Sequence, residues 1–135
     1  MAAQTKRYNN ESDESFKERQ LSSLFTIISN NLLVATEVLG GGYKNNSVKK
    51  LEQLSRKAKD LSKELVSSSN TSLKDEISER ISGLKHKMLE LITDLTDELG
   101  NLDIGKKTDK KAIEDIILAR RLLRESQRGL ITIQD

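Results

Sequence analysis

Apolar residues recur at intervals of three and four positions along four stretches of this chain. That spacing places them on one face of an α-helix, and where it repeats every seven residues it forms a heptad seam. The clearest seam lies in the first stretch and consists of Leu21, Phe25, Ile28, Leu32, Ala35 and Leu39. The pattern predicts helices at about 13–39, 47–66, 72–99 and 108–128.

The remaining stretches also carry seams, and that of the second stretch is thinner. They comprise Val48, Leu51, Leu54, Ala58, Leu61 and Leu65; Leu73, Ile77, Ile81, Leu84, Met88, Leu91, Leu95 and Leu99; and Ala112, Ile116, Ala119 and Leu123. The first stretch also has a flanking apolar row, formed by Leu24, Ile27, Val34 and Val38. We therefore expect the first helix to have the widest buried face and to be the most central one.

Glycine and capping residues mark the predicted helix ends. Glycine favours a helix C-terminus because it adopts the left-handed conformation without steric cost. The stops are Gly40 to Gly42, Gly100 and Gly129, and the cap candidates are Ser12, Ser15 (with Glu18 as a capping box), Ser47, Ser72 (with Asp75) and Thr108. Gly83 lies inside the third helix, where we interpret it as a sign of close helix approach.

The chain has 135 residues and no proline, so nothing in the sequence forbids long helices. Short connections between long helices require neighbours to run antiparallel. We predict an all-α, antiparallel up-down-up-down four-helix bundle with coiled-coil-like packing over 13–128, a flexible N-terminal tail at 1–12 and a C-terminal tail at 129–135. The rival arrangement is a helical hairpin whose core is completed by another chain.

Several classes of chemistry lack the residues they need. Cysteine is absent and the single histidine, His86, is offset from its seam and expected on the surface, so no metal cluster or nucleophile–base pair can be assembled. The sequence around Gly40 to Gly42 does not match a phosphate-binding P-loop, which requires Gly-Lys-Ser/Thr leading into a helix. We expect no enzyme activity, no cofactor and no metal.

The charge is nearly balanced, with a net value of +2, so attraction to nucleic acid or membranes does not follow from it. The distribution is uneven at the turn between the third and fourth predicted helices. Acidic residues there (Glu90, Asp94, Asp97, Glu98, Asp103) are followed by basic ones (Lys106, Lys107, Lys110, Lys111). Either the two clusters compensate each other across an antiparallel pair, or both are solvated surfaces.

A row of arginines, Arg120, Arg124 and Arg128 with Arg121 beside it, occupies one face of the fourth helix. Like charges at this spacing repel one another. An acidic partner protein would neutralise them, and so would phosphates of nucleic acid or anionic lipid. The alternative is that they compensate the dipole at the C-terminus of their own helix.

These features favour a non-catalytic helical adaptor or scaffold subunit that binds other helical subunits or self-associates within a multiprotein complex. The expected contact residues are Arg120, Arg121, Arg124, Arg128, Leu130, Ile131 and Ile133. The alternative function is a peripheral membrane or nucleic-acid-associated bundle. Because Met1 to Phe16 lacks an apolar signal segment and aliphatic runs do not exceed four residues, we expect a cytoplasmic or nuclear protein without membrane insertion and without a small-molecule substrate.

Overall fold

The computed structural model describes residues 12–40, 46–68, 70–101 and 110–133. They form helices α1 (Asp13–Gly40), α2 (Asn46–Ser67), α3 (Thr71–Gly100) and α4 (Lys110–Thr132). α1 packs against α2 and α4, and α3 packs against the same two helices. The helices therefore form a ring around one core, and the predicted four-helix bundle is confirmed.

Contacts between helices fix their directions. Ser22, early in α1, donates a hydrogen bond of 2.7 Å from its Oγ to the carbonyl of Ser62, late in α2. Lys74 Nζ lies 2.8 Å from Glu18 Oε2, so α1 and α3 begin at the same end of the bundle. In α4, Arg120 lies beside Gly100 at the end of α3, while Ile133 lies beside Lys85 in its middle, so α4 is antiparallel to α3. The chain consequently runs up, down, up and down.

The core is a set of heptad seams, but small polar residues share them with the aliphatic ones. Buried serines and a threonine continue the seams at Ser22, Ser29, Thr36, Ser55, Ser62 and Ser126. In α2, the Oγ atoms of Ser55 and Ser62 donate to the carbonyls four residues earlier at 2.7 and 2.8 Å, respectively. A pattern of apolar residues alone misses these positions, because a serine can be buried when a backbone carbonyl accepts from its Oγ, as for Ser22, Ser55 and Ser62.

Two seam predictions in α3 are wrong. Ile92 is fully buried where the pattern placed Leu91, which packs only partly against the core. Leu73 is 43% exposed, because it lies in the first turn of the helix at the end of the bundle.

The flanking row of α1 is not buried as a whole, contrary to the prediction, and of its members Leu24 packs partly against the core. Ile27 and Val34 are 38% and 46% exposed, whereas Leu24 and Val38 are partly buried. α1 nevertheless makes the two most extensive helix contacts, with α2 and α4. Its core face is provided by the main seam and the small polar residues, which leaves an apolar row on the outside.

The caps of α1 and α3 are settled by hydrogen bonds. Ser12 Oγ accepts from the backbone N–H of Ser15 at 3.1 Å, so Ser12 is the N-cap of α1 and Ser15 lies inside the helix. In α3 the cap is Asn70, whose Oδ1 accepts from Leu73 N at 3.2 Å. The prediction of Ser72 is therefore wrong, because the helix begins one residue before it.

The C-terminal end of α4 also differs from the prediction. The helix passes through Gly129 and continues to Thr132, and Leu130 is fully buried. Burial of Leu130 and packing of Ile133 against the core offset the low helix propensity of glycine. Residues 129–132 therefore belong to the bundle and not to a tail.

Close helix approach occurs at Gly129 and not at Gly83. A Cβ atom on Gly129 would lie 2.9 Å from Ile28 Cδ1, whereas one on Gly83 would meet nothing within 4 Å. Gly129 thus permits α4 to contact α1 closely, and Gly83 is exposed.

α4 is displaced along the bundle axis. Its end lies beside the middle of α3, where Lys85 Nζ donates to the carbonyl of Ile133 at 3.1 Å. Its Gly129 lies beside Ile28, near the middle of α1. Of the described helices, therefore, only α1, α2 and α3 reach this end of the bundle, where Glu18 and Lys74 pair directly.

Some predictions fall on residues outside the described ranges. They concern the N-terminal tail up to residue 11, the stops at Gly41 and Gly42, the cap Thr108, the charged residues Asp103, Lys106 and Lys107, and residues 134–135. In the described part, Lys111 forms an ion pair within its own helix, with Asp115 at 3.1 Å. Among the described helices, α1 alone is long and apolar enough to span a membrane, a test that core helices of soluble proteins also pass.

Candidate partner-binding face on helix α4

One side of α4 carries an open cleft with a strongly basic lining. Its volume is about 370 Å³, and it is lined by Ile117, Arg120, Arg121, Arg124, Glu125 and Arg128. The helical repeat brings these side chains together, because residues three, four and seven positions apart share a face. We call this surface, together with Ile131, the arginine face.

The arginines lie in the body of the helix. Since α4 continues to Thr132, its last turn contains no basic residue. Dipole compensation acts only within the first and last turns. Compensation of the dipole of α4 itself therefore does not explain why Arg120, Arg121 and Arg124 occur on this face.

The arginines also lack the ion pairs that stabilise other cations of the bundle. Arg56 pairs with Glu52 at 3.1 Å and Arg80 with Glu76 at 3.0 Å, each one turn away on the same helix. Among the described residues, no ion pair involves an arginine of the α4 face, although Glu125 lines the same cleft. The face thus combines four positive charges with one negative charge.

Arg120 differs from its neighbours in being partly buried. Its Nη2 atom lies 3.7 Å from the position that a Cβ on Gly100 would occupy, so the guanidinium reaches the C-terminal end of α3. A positive charge there is favourable because the exposed carbonyls of a helix C-terminus carry partial negative charge. Its Nε atom is buried without a hydrogen-bond partner in the described structure. Arg121, Arg124 and Arg128 are exposed.

Exposed isoleucines lie at both ends of the arginine face. Ile117 is 55% exposed and Ile131 is 65% exposed. They are two heptads apart, which corresponds to about 21 Å along a helix. Ile117 lies on the same side of α4 as the arginines, because it is four and seven residues from Arg121 and Arg124.

The predicted C-terminal contact residues do not form one surface. Leu130 is fully buried and is therefore not available to a partner, which corrects the prediction. Ile133 is partly buried against the core, and only Ile131 is well exposed. The reason is that the segment is helical, so successive side chains point in different directions.

Other candidate positions offer less. His86 is exposed, as expected, and the described residues contain no group of three or more potential metal-ligating side chains. A second cleft, between α2 and α3, is lined by Leu54 and Leu91 together with Lys50, Gln53, Lys87 and Glu90. Its charges are mixed, so it presents a weaker electrostatic signal than the arginine face.

No protein-family model, curated protein or solved structure matches the chain.

Proposed function

We propose that this protein is a non-catalytic helical adaptor or scaffold subunit, which binds an acidic segment of a partner protein through the arginine face of α4. The observation that carries the proposal is that four arginines line one cleft without an ion pair in the described structure. Like charges so close together repel one another, and an acidic ligand would remove that repulsion. Arginine also binds carboxylates with two parallel hydrogen bonds, which gives specificity as well as affinity.

The spacing of the face defines the partner segment. Ile117 and Ile131 are exposed on either side of the arginines and provide an apolar contact at each end. A complementary segment carries apolar residues about 21 Å apart with acidic residues between them. In a helix this distance corresponds to about 14 residues. An acidic amphipathic helix is therefore the partner chemistry that fits best, consistent with a subunit of a cytoplasmic or nuclear complex.

A phosphate-bearing surface, either nucleic acid or anionic lipid, is the competing partner for the same arginines. Single-stranded nucleic acid is usually held on aromatic side chains, and α4 contains none. The two exposed isoleucines would contribute little to a contact with phosphates alone. They favour a protein ligand.

The proposal is tested with a synthetic acidic helical peptide that has leucines 14 residues apart and glutamates between them. Binding is measured by fluorescence anisotropy for the natural chain and for Arg121→Glu/Arg124→Glu. The control is Lys57→Glu/Lys63→Glu, which makes the same charge change on the exposed face of α2. We expect the α4 variant to bind at least about tenfold more weakly, because it places its new carboxylates beside those of the peptide. The control should bind as the natural chain does.

Equal loss in both variants would mean that only net charge matters, and the proposed site would then be wrong. Duplex DNA and vesicles containing phosphatidylserine serve as parallel probes at the same ionic strength. Binding to either of them, without binding to the peptide, would assign the arginine face to phosphates and overturn the proposal.

A further inference from the structure

The outer surface of α1 differs from that of every other helix. From Gln20 to Thr36 the sequence has no charged residue, although one third of the whole chain is charged. The exposed positions in this stretch are Gln20, Ser23, Ile27, Asn30 and Val34. On α2, by contrast, Lys49, Lys50, Arg56, Lys57, Asp60, Lys63 and Glu64 are exposed. The outside of a solvated helix normally carries charge, so the α1 surface has the composition of one that is covered.

Four apolar and two polar positions on this side of α1 form a regular row. Gln20, Leu24, Ile27, Asn31, Val34 and Val38 follow one another at steps of four and three residues. Each lies one residue before a member of the main seam, which places the two rows about 100° apart around the helix. We call this second set the outer row. Gln20, Ile27 and Val34 are exposed, and Leu24, Asn31 and Val38 are partly buried. A heptad row that remains accessible is the pattern by which helices of separate chains pack together.

We propose that the outer row of α1 is a self-association surface, which packs antiparallel against the outer row of a second copy of this chain. This contact involves other residues than the arginine face and does not depend on the proposed function. The molecule would then have two contact surfaces, a dimer interface on α1 and the partner-binding face on α4.

The charges at the two ends of the row favour a second copy and set its direction. Arg19 precedes the uncharged stretch and Glu37 follows it. In an antiparallel pair centred on Ser29, Arg19 of one copy and Glu37 of the other lie at nearly the same height along the helix axes, within about 3 Å. Both residues also lie on the same side of the row, since they are 18 positions, or five whole turns, apart. A parallel pair would instead place Arg19 beside Arg19 and Glu37 beside Glu37.

The row is self-complementary in this register. Leu24 of one copy lies level with Val34 of the other, and Ile27 lies level with Asn31. Asn31 is the polar position in the middle of the row, and it lowers the stability of the contact because it lies level with an isoleucine. The contact is isologous, so it closes as a dimer instead of extending into a filament.

Sedimentation velocity measures the association, with Val34→Lys as the variant and Val66→Lys as the matched control. Val34 and Val66 are 46% and 45% exposed, so the same change is made at equally accessible valines on different helices. We expect the natural chain and Val66→Lys to dimerise at about 100 μM or below. Val34→Lys should raise the dissociation constant at least about tenfold, since it places an ammonium group in the apolar contact.

A monomeric natural chain at that concentration overturns the proposal, and so does an equal effect of the two variants. Circular dichroism of Val34→Lys verifies that its helices remain folded. If Val34→Lys loses helicity, Ile27→Gln, which adds no charge to the outer row, takes its place as the test variant.

The direction is measured with a spin label at Lys17→Cys, which is the only cysteine in that variant because the natural chain has none. Lys17 lies 12 residues from the centre of the pair, so the antiparallel arrangement separates the two Lys17 levels by about 36 Å. A parallel pair would keep these levels side by side, with helix axes about 10 Å apart, and that result contradicts the proposal. Capture of the natural chain by neutral lipid vesicles, abolished by Val34→Lys, would assign the outer row to a membrane and would overturn it as well.

Discussion

Gly129 and Gly83 are both helical, but the space beside them is different. The Cβ of an alanine at 129 would lie 2.9 and 3.1 Å from Ile28 Cδ1 and Cγ1, and Ile28 is only 3% exposed. We expect Gly129→Ala to lower the free energy of unfolding by about 1 kcal/mol, because overpacking of about 1–3 kcal/mol exceeds the gain in helix propensity. Gly83→Ala has open space and should raise it by about 1 kcal/mol.

Urea unfolding of the two single variants checks this prediction. Ile28→Val provides the control, since it removes the Cδ1 atom that the new methyl group would meet. In that background Gly129→Ala should cost less than it does alone. Equal stabilisation by both alanines would show that α4 does not approach α1 closely at Gly129.

Which of these two glycines lies against a neighbouring helix was not predictable from the sequence. Both interrupt an apolar pattern, and only the neighbouring helix decides whether a Cβ fits. The same holds for the seam serines: Ser22 is buried because Ser62 on another helix offers its carbonyl at 2.7 Å. The arginines were predictable, since their spacing alone places them on one face.

Lys85 is 5% exposed and donates to the carbonyl of Ile133 at 3.1 Å, beyond the last turn of α4. This contact brings a cation to the negative end of the helix. We expect Lys85→Met to lower stability by about 1–2 kcal/mol, because it removes a charge-assisted hydrogen bond at a partly shielded site. Lys87→Met, at an exposed position nearby, should change stability by less than about 0.5 kcal/mol.

Hydrogen exchange distinguishes a local effect of Lys85 from a general one. In Lys85→Met the amides from Leu130 to Ile133 should lose protection before those of α2 do. A uniform loss over all helices would mean that Lys85 supports the core and not the end of α4.

At the scale of helices, the N-caps of α1 and α3 are a direct test of where these elements begin. Ser12→Ala and Asn70→Ala remove the acceptors for Ser15 N and Leu73 N. Each should cost about 1 kcal/mol in thermal unfolding. Ser72→Ala, at the position favoured by sequence alone, should cost less than about 0.5 kcal/mol. The reverse order would place the start of α3 after Ser72.

Most helix bounds were predictable because glycines and apolar periodicity agree. The observed ends of α1, α2 and α3 lie within one residue of the predicted ones. α4 ends four residues later than predicted, at Thr132, because Gly129 suggested a stop while tertiary packing of Leu130 maintains the helix. The Asn70 cap was missed because Ser72 with Asp75 fits a capping box equally well in sequence.

For the whole molecule, long helices with short connections determine the up-down-up-down topology, and the sequence was sufficient for that. The displacement of α4 was not predictable, since it depends on the approach of Gly129 to Ile28 and on the contact between Lys85 and Ile133. The outer row of α1 was identified as apolar, but its exposure emerged only when small polar residues proved to share the core face.

The central claim is that the arginine face of α4 binds an acidic protein segment. Amide NMR during titration with the acidic helical peptide tests it most directly, because every helix reports separately. We predict that the largest shift changes fall between Ile117 and Ile131 and follow the exposed side of α4. Changes centred instead on the α2–α3 cleft around Leu54 and Leu91, or spread evenly over all exposed lysines and arginines, would contradict the claim.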